Sequence, residues 1–381
     1  KPENLNHENK ESYLLFDDIL FLQKAQEEHK VFTDVIKKII GKTKCFELAD
    51  LLEDVLSSDD MRNNLLSDLR ELYKAPNLEP WDDDQKLSET IISSNWDPES
   101  VNFENPLTNL SLPNIMFTRD LGVSIGNSMI ITWASKKVRN PENIIAKHIF
   151  KNHSLFSKCN IYDFHENHPD LALEGGDVTL INEEIVAIGV SERTSKTSVK
   201  AITPFLYENG IKYIMCFNMP KKRRFMHLDT VFSIINTDEA IVYHPFFDKG
   251  HCDELDVDII TAGESSATST ASLKASSAFK ELGINFNFVN CGARFASKRE
   301  QWTDGANAFC LSPGIIILYD RNIRTLIQLE EHGYKRISAD DFLALNDFDR
   351  NQKTVITIES GELSRGRGGP RCMTMPINRI K

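Results

Sequence analysis

The sequence predicts an α/β fold made of repeated strand-strand-helix-strand units, with a small helical segment set into it. Three observations carry that expectation. After Asn105 short β-rich runs alternate with helical stretches: Met129–Trp133, Val178–Ile181, Ile185–Val190, Tyr213–Phe217, Thr230–Ile235, Ala240–Tyr243 and Gly314–Tyr319. The order of elements also recurs. Gly175-Gly176-Asp177 leads into strand, acidic turn, strand, a helix from Ser195 to Tyr207, and strand; Asp304-Gly305 to Ile337 has the same order. Gly126-Asn127 and Leu228-Asp229 open two further units of similar shape. Finally, Ala49 to Ser94 contains no glycine and almost no β-branched alternation, which is a helical texture. Repeated units with polar residues at the same starting point fit pseudo-symmetric modules around an axis. Periodicity alone supports an ordinary mixed α/β sheet equally well.

In chain order, Asp18 to Ile40 carries Leu22, Ala25, Val31, Phe32, Val35, Ile36 and Ile39 at helical spacing, with Asp17 and Asp18 as caps. Leu48, Leu51, Leu52 and Val55 mark a second helix; Leu65, Leu66, Leu69, Leu72 and Tyr73 mark a third. Pro76, Pro80 and Pro98 interrupt this region.

The 381 residues suit one large domain or two ordinary ones. Hydrophobic residues are 41% and charged residues 26%, so a disordered chain, a collagen or a coiled coil is excluded. No apolar run approaches the roughly 20 residues of a membrane span. The net charge of −12 speaks against bulk binding to nucleic acid or anionic lipid. Seven cysteines, an odd number without a C-x-x-C pair, read as reduced thiols in a cytoplasmic protein. The polar start Lys1-Pro2-Glu3-Asn4 shows no secretory signal, and a start at Lys1 implies missing upstream residues.

Four short motifs could carry chemistry. In Gly366-Arg367-Gly368-Gly369-Pro370-Arg371-Cys372-Met373, arginines at 365, 367 and 371 surround one cysteine. Positive charge lowers a thiol pKa and makes a nucleophile; the bland reading is a flexible tail or an inert buried thiol. In Met226-His227-Leu228-Asp229-Thr230, residues two apart at the start of a strand would put His227 and Asp229 on one face; the alternative is a surface strand end. Glu174, before Gly175-Gly176-Asp177, could orient a histidine or simply open a turn. Asn114-Ile115-Met116-Phe117-Thr118-Arg119-Asp120 could line a polar pocket. His165, His168, Glu174 and Asp177 have no metal-ligand spacing, and Lys221 to Arg224 reads as a solvated turn.

Taken together, these strings resemble the arginine deiminase family of guanidino-group-modifying enzymes. The matches are Leu15-Phe16-Asp17-Asp18 with Lys24-Ala25-Gln26-Glu27-Glu28-His29, then Phe117-Thr118-Arg119-Asp120, Glu174-Gly175-Gly176-Asp177, Glu192-Arg193-Thr194, His227-Leu228-Asp229-Thr230 and Gly366 to Met373, in family order. The resemblance implies a five-module α/β propeller: residues 1–48 would begin it without its full N-terminal part, 49–94 would be a helical insertion, and 95–381 the remainder. It departs from the family at the short start and at Leu121, where many members carry proline. It implies hydrolysis of L-arginine to L-citrulline and ammonia with no cofactor and no metal. Cys372 would be the nucleophile, His227 the general acid and base supported by Glu174, and Asp120 with Asp229 the holders of the guanidinium. Arg139, Arg193 and Arg367 would take the α-carboxylate, Asn114 the α-amino end, and Phe117 would pack on the alkyl chain.

Two buried carboxylates also follow from chemistry, because a guanidinium stays protonated and is costly to bury unpaired. The alternatives are an arginine dihydrolase or amidinotransferase, which shares the thiolate and thiouronium, and a catalytically silent arginine-binding protein. A papain-like protease fits poorly, since no Cys-Gly-x-Cys-Trp string occurs and Cys372 follows the histidine. The expected partners are L-arginine and copies of the same chain, as dimer or tetramer, with no nucleic acid and no membrane.

Overall fold

A computed structural model describes residues 15, 18, 20–80, 86–93, 96, 111–261 and 269–378. Most of the first eighteen residues and the expected boundary at 94 lie outside the described residues. The first helix, α1 (Leu22–Ile40), buries Phe32, Val35, Ile36 and Ile39 on one side. It starts after Phe21 without a side-chain cap, and Asp18 instead pairs with Arg365 at 2.7 Å, so the expected aspartate cap is corrected. Three helices follow: α2 (Leu48–Leu56), α3 (Asp59–Tyr73) and α4 (Leu87–Ser93).

The β-rich part then runs β1 (Gly122–Ile125), β2 (Ser128–Ile131), α5 (Asn140–Asn152), β3 (Asn160–Asp163), α6 (Phe164–Asn167), β4 (Val178–Leu180), β5 (Ile185–Val190), α7 (Lys196–Glu208) and β6 (Tyr213–Asn218). Next come β7 (Phe232–Ile234), β8 (Glu239–Val242), β9 (Asp256–Thr261), β10 (Ser269–Lys274), α8 (Ala275–Glu281), β11 (Asn287–Asn290) and α9 (Ala293–Trp302). The chain closes with β12 (Phe309–Ser312), β13 (Ile315–Tyr319), α10 (Ile323–Glu331), β14 (Lys335–Ser338), α11 (Ala339–Ala344) and β15 (Thr354–Ile358).

The strands form four open sheets, in the orders β1-β2-β3, β10-β9-β6-β5-β4, β11-β8-β7 and β12-β13-β15-β14. Among the described residues no sheet closes on itself and there is no fifth sheet, so the expected five-module propeller is corrected to four separate mixed sheets. The local units explain why the expectation arose. In each of the first three sheets an antiparallel hairpin is followed by a strand parallel to its second member: β1-β2 then β3, β4-β5 then β6, β7-β8 then β11. Long-range pairing then breaks the repeat. The β9-β10 hairpin joins the second sheet through β6, and β15 inserts between β13 and β14. Neither event leaves a periodic mark in the sequence.

The apolar core is divided to match. The helices α2 and α3 pack in one cluster with Met129, Ile131 and Ile145 of the first sheet and α5. A second cluster places Phe32, Val35 and Ile36 of α1 against Ile315, Ile317 and Tyr319 of β13, together with Phe117, Cys372 and Met373. The two loops carrying Phe117 and Cys372 are thus held by the packing of α1 on the fourth sheet. No described helix is long and apolar enough to cross a membrane.

Phe32 is buried in the cluster that contains Cys372. Phe32→Ala should cost about 3–5 kcal/mol. Urea unfolding checks this: the midpoint falls while the slope stays unchanged.

Candidate active site

Four irregular segments meet at one place. Asn114 lies in the turn Pro113–Met116, Phe117 follows it, and Asp120 lies in the next turn, Thr118–Leu121. Glu174 precedes the turn Gly175–Asp177. His227 precedes the turn Leu228–Thr230, so His227 and Asp229 sit on a tight helical turn before β7 and not in the strand expected from their spacing. Short turns of this kind leave backbone N–H groups free, and carboxylates take them. Gly176 N–H donates to Asp120 Oδ1 at 3.0 Å, and Leu228 N–H donates to Asp177 Oδ1 at 3.0 Å. A Cβ on Gly176 would lie 2.6 Å from His227 Nδ1 and 2.8 Å from Asp120 Oδ1, so only glycine lets these side chains meet. Likewise a Cβ on Gly368 would lie 2.3 Å from the Phe117 ring.

His227 Nε2 lies 2.7 Å from Glu174 Oε2, and Nδ1 lies 3.6 Å from Asp120 Oδ1. Glu174 is fully buried, and its other oxygen accepts from Ser135 N–H at 2.8 Å and Ser135 Oγ at 3.0 Å. Burial works against charge on both partners. For His227 it is outweighed by Asp120, the Glu174 hydrogen bond and Asp177, which together hold the imidazole up at about 10. For Glu174 burial is outweighed by Arg193 and His227, which hold the carboxyl well below the usual range. The pair is therefore an imidazolium and a carboxylate at neutral pH, with Nε2–H donating to Glu174.

Cys372 Sγ lies 3.8 Å from Asp229 Oδ2. Burial, then Asp229, Asp120 and Asp304, push this thiol well above its ordinary value. The expectation that neighbouring arginines lower it is corrected. Arg365 pairs with Asp18 and Glu362, Arg367 lies 3.3 Å over the Trp302 ring, and Arg371 Nε is 3.8 Å from Asp229 Oδ2. The neighbouring arginines are engaged with other groups, and the carboxylate of Asp229, from a distant segment, faces the sulfur. Asp229 is fully buried, and its Oδ1 has no hydrogen-bond partner among the described residues. A buried, unsatisfied carboxylate oxygen beside a thiol is a place for a cationic N–H donor.

The arginines expected to face the substrate are already engaged. Arg139 pairs with Asp120 and, at 2.9 Å, with Glu142, and its Nη2 donates to Asn114 O at 3.1 Å. Arg193 Nη1 is 3.7 Å from Glu174 Oε1. Cys372, His227, Asp120, Asn114, Phe117, Arg139, Arg193 and Arg367 line one cavity with Leu15 and Met226, while Glu174 and Asp229 stand behind the wall. The cavity is narrow, with a volume of about 30 Å³.

Sequence reading passed over several contributors. Asn307 accepts from Cys372 N–H at 3.2 Å and donates to Asp229 O at 3.0 Å; Glu142 backs Arg139. Only the Asp304-Gly305 turn three residues earlier pointed toward Asn307, and nothing marked Glu142. The donor atoms of Asp120, Glu174 and His227 lie close enough to hold a metal ion; in the structure His227 Nε2 is 2.7 Å from Glu174 Oε2. His251, Cys252 and Asp253 form a second such group on an exposed loop, away from this cavity. His165 stacks on Trp133 at 3.7 Å and His168 lies 3.0 Å from the Tyr162 hydroxyl, so they join no cluster with Glu174 and Asp177.

The sequence profile of the arginine deiminase family matches residues 81–379. The chain belongs to the arginine deiminase family. It is 34% identical to the arginine deiminase of Borrelia recurrentis (strain A1) and 31% identical to that of Bacillus cereus (strain B4264); each alignment covers 96% of this chain and 90% of the relative. Among solved structures, the N-terminal domain of ArgZ, an arginine dihydrolase from cyanobacteria, superposes with a TM-score of 0.46 at 18% identity, over 70% of this chain and 77% of that one. That overlap adds nothing to the family assignment.

The geometry gives a direct test of the charge around the thiol. Asp229→Asn removes the nearest negative charge, so the Cys372 thiol should ionise at lower pH. Rates of alkylation by iodoacetamide, followed at Cys372 by peptide mapping across pH, should show the variant's profile displaced to lower pH. An unmoved profile would remove Asp229 from the sulfur's environment.

Proposed function

We propose that this chain hydrolyses L-arginine to L-citrulline and ammonia through a covalent thiouronium on Cys372. The observation that supports this most directly is the buried Asp229 carboxylate, with a free oxygen, set beside Cys372 and across from the His227–Glu174 pair. A guanidinium held by Asp229 and Asp120 keeps its planar fork fixed and presents its carbon to the sulfur. Its positive charge offsets the carboxylates that hold the thiol protonated, so substrate binding itself favours the thiolate.

As the cation binds, the Cys372 thiol loses its proton to solvent, and the thiolate adds to the guanidinium carbon. The C–N bond to one terminal nitrogen breaks as His227 Nδ1 delivers its proton, since an amide ion cannot leave unprotonated. Ammonia departs and the carbon remains bonded to sulfur as a thiouronium. His227, now neutral, takes a proton from water as the water oxygen adds to the same carbon. The C–S bond then breaks, its electrons return to sulfur, and citrulline is released. Glu174 keeps Nε2 occupied, so that Nδ1 is the nitrogen facing the reaction.

Arg193 and Arg367 are our candidates for the substrate's α-carboxylate. Arg139, held by two carboxylates, serves it only by leaving Asp120, which the guanidinium then occupies. Asn114 is placed for the α-amino end and Phe117 for the alkyl chain. We also propose residues 49–94 as an insertion into a catalytic domain made of 1–48 and 95–381. A cytoplasmic location and an assembly of two or four copies complete the reading, with unpaired thiols as support for the location.

Incubation with arginine should yield citrulline and ammonia in equal amounts, and Cys372→Ser should abolish turnover while arginine still binds. Ornithine with two ammonia would instead identify a dihydrolase. Thermal stabilisation by arginine without product would identify a silent binder. The pH dependence follows from His227. Its raised pKa keeps the catalytic proton below about 10 and loses it above. Glu174→Gln removes a charge that supports the imidazolium, so the basic limb of kcat should move to lower pH. A limb that stays in place with full activity would reduce Glu174 to a turn residue.

A further inference from the structure

We infer that Arg119 is a positioning residue that sets the distance between the carboxylate receiving the substrate and the sulfur attacking it. The inference rests on the reading of Cys372 and Asp120 given above. Arg119 is buried and immediately precedes Asp120. Its backbone N–H donates to Cys372 O at 3.1 Å. Its guanidinium donates from Nε to Arg371 O at 3.2 Å and from Nη2 to Thr374 Oγ1 at 3.2 Å. The Thr374 hydroxyl in turn donates to Arg371 O at 2.9 Å. One residue thus grips the nucleophile loop on both sides of Cys372 while its own backbone carries Asp120. Its carbonyl also meets the turn after Glu174, where a Cβ on Gly175 would lie 2.1 Å from Arg119 O.

The Arg119 guanidinium is engaged by Arg371 O and Thr374 Oγ1, so it acts through its neighbours and not on the substrate. Lysine keeps the charge but lacks the planar fork, and it reaches one of the two acceptors. The nucleophile loop would then shift against the Asp120 turn. A displacement of about 1 Å costs on the order of 100-fold in rate when reacting atoms are held in line. Binding depends on the Asp120 and Asp229 carboxylates, which remain, so kcat should fall and KM should not.

The test compares wild type, Arg119→Lys and Thr374→Val for citrulline formation, with folded fraction measured by circular dichroism and thermal melting. The expected result is a kcat lower by about 100-fold in Arg119→Lys, with KM within about threefold of wild type and the protein folded. Thr374→Val removes one acceptor without disturbing a buried cation. It should lower kcat by about tenfold at unchanged KM, and it carries the test if Arg119→Lys does not fold. Wild-type kcat in both variants, or a loss that only tracks the unfolded fraction, would overturn the inference. A wild-type protein that makes no citrulline would instead overturn the functional reading on which it rests.

Discussion

Three carboxylates, Asp120, Glu174 and Asp229, are withdrawn from water around one imidazole and one thiol, and each needs a positive partner in a dry interior. Glu174 finds His227 and Arg193, and Asp120 finds Arg139. Among the described residues Asp229 faces His227 and pairs with Arg371 at 3.8 Å, and its Oδ1 keeps no hydrogen-bond partner. The unpartnered Asp229 oxygen is thus set in the dry interior on the residue that faces the Cys372 sulfur. Burial of the sulfur, with the carboxylates of Asp229, Asp120 and Asp304, pushes the Cys372 thiol up.

The frame around these charges is made of hydrogen bonds from backbone and side-chain donors. Asp177 is fully buried and accepts from Leu228 N–H and the Ser191 hydroxyl, which fixes the turn bearing His227 and Asp229. Burial pushes its carboxyl up to about 7, while His227 and the Ser191 hydrogen bond pull it back. Asn307 bridges the backbones of Cys372 and Asp229, and Arg119 ties the nucleophile loop to the Asp120 turn. Each bond joins segments far apart in the chain, so the catalytic geometry is a property of the packed molecule and of no single motif.

The apolar packing decides what can move. Phe117 and Cys372 belong to the cluster built by α1 and the fourth sheet, which places them on fixed ground. The outer wall is different. Arg367 sits in a left-handed backbone conformation and rests on Trp302, which is nearly half exposed. Arg367 Nη1 also donates to Trp302 O at 2.9 Å, so both the ring and the backbone of Trp302 hold this guanidinium.

Much was legible in the sequence. Spacing marked the helices at 22–40, 48–56 and 59–73 and the strands from 185 and 213, because burial of one face imposes a period on local residues. The motifs around Phe117, Glu174, His227 and Cys372 were visible because chemistry needs those residue types beside glycines that permit close approach. Tertiary structure alone decided how β9-β10 and β15 pair, since strand partners are chosen by packing across long loops. It also reversed the expected effect of the arginines on Cys372. Charge acts through space, and the sequence lists only neighbours along the chain; Asp229 lies 143 positions away and yet faces the sulfur at 3.8 Å.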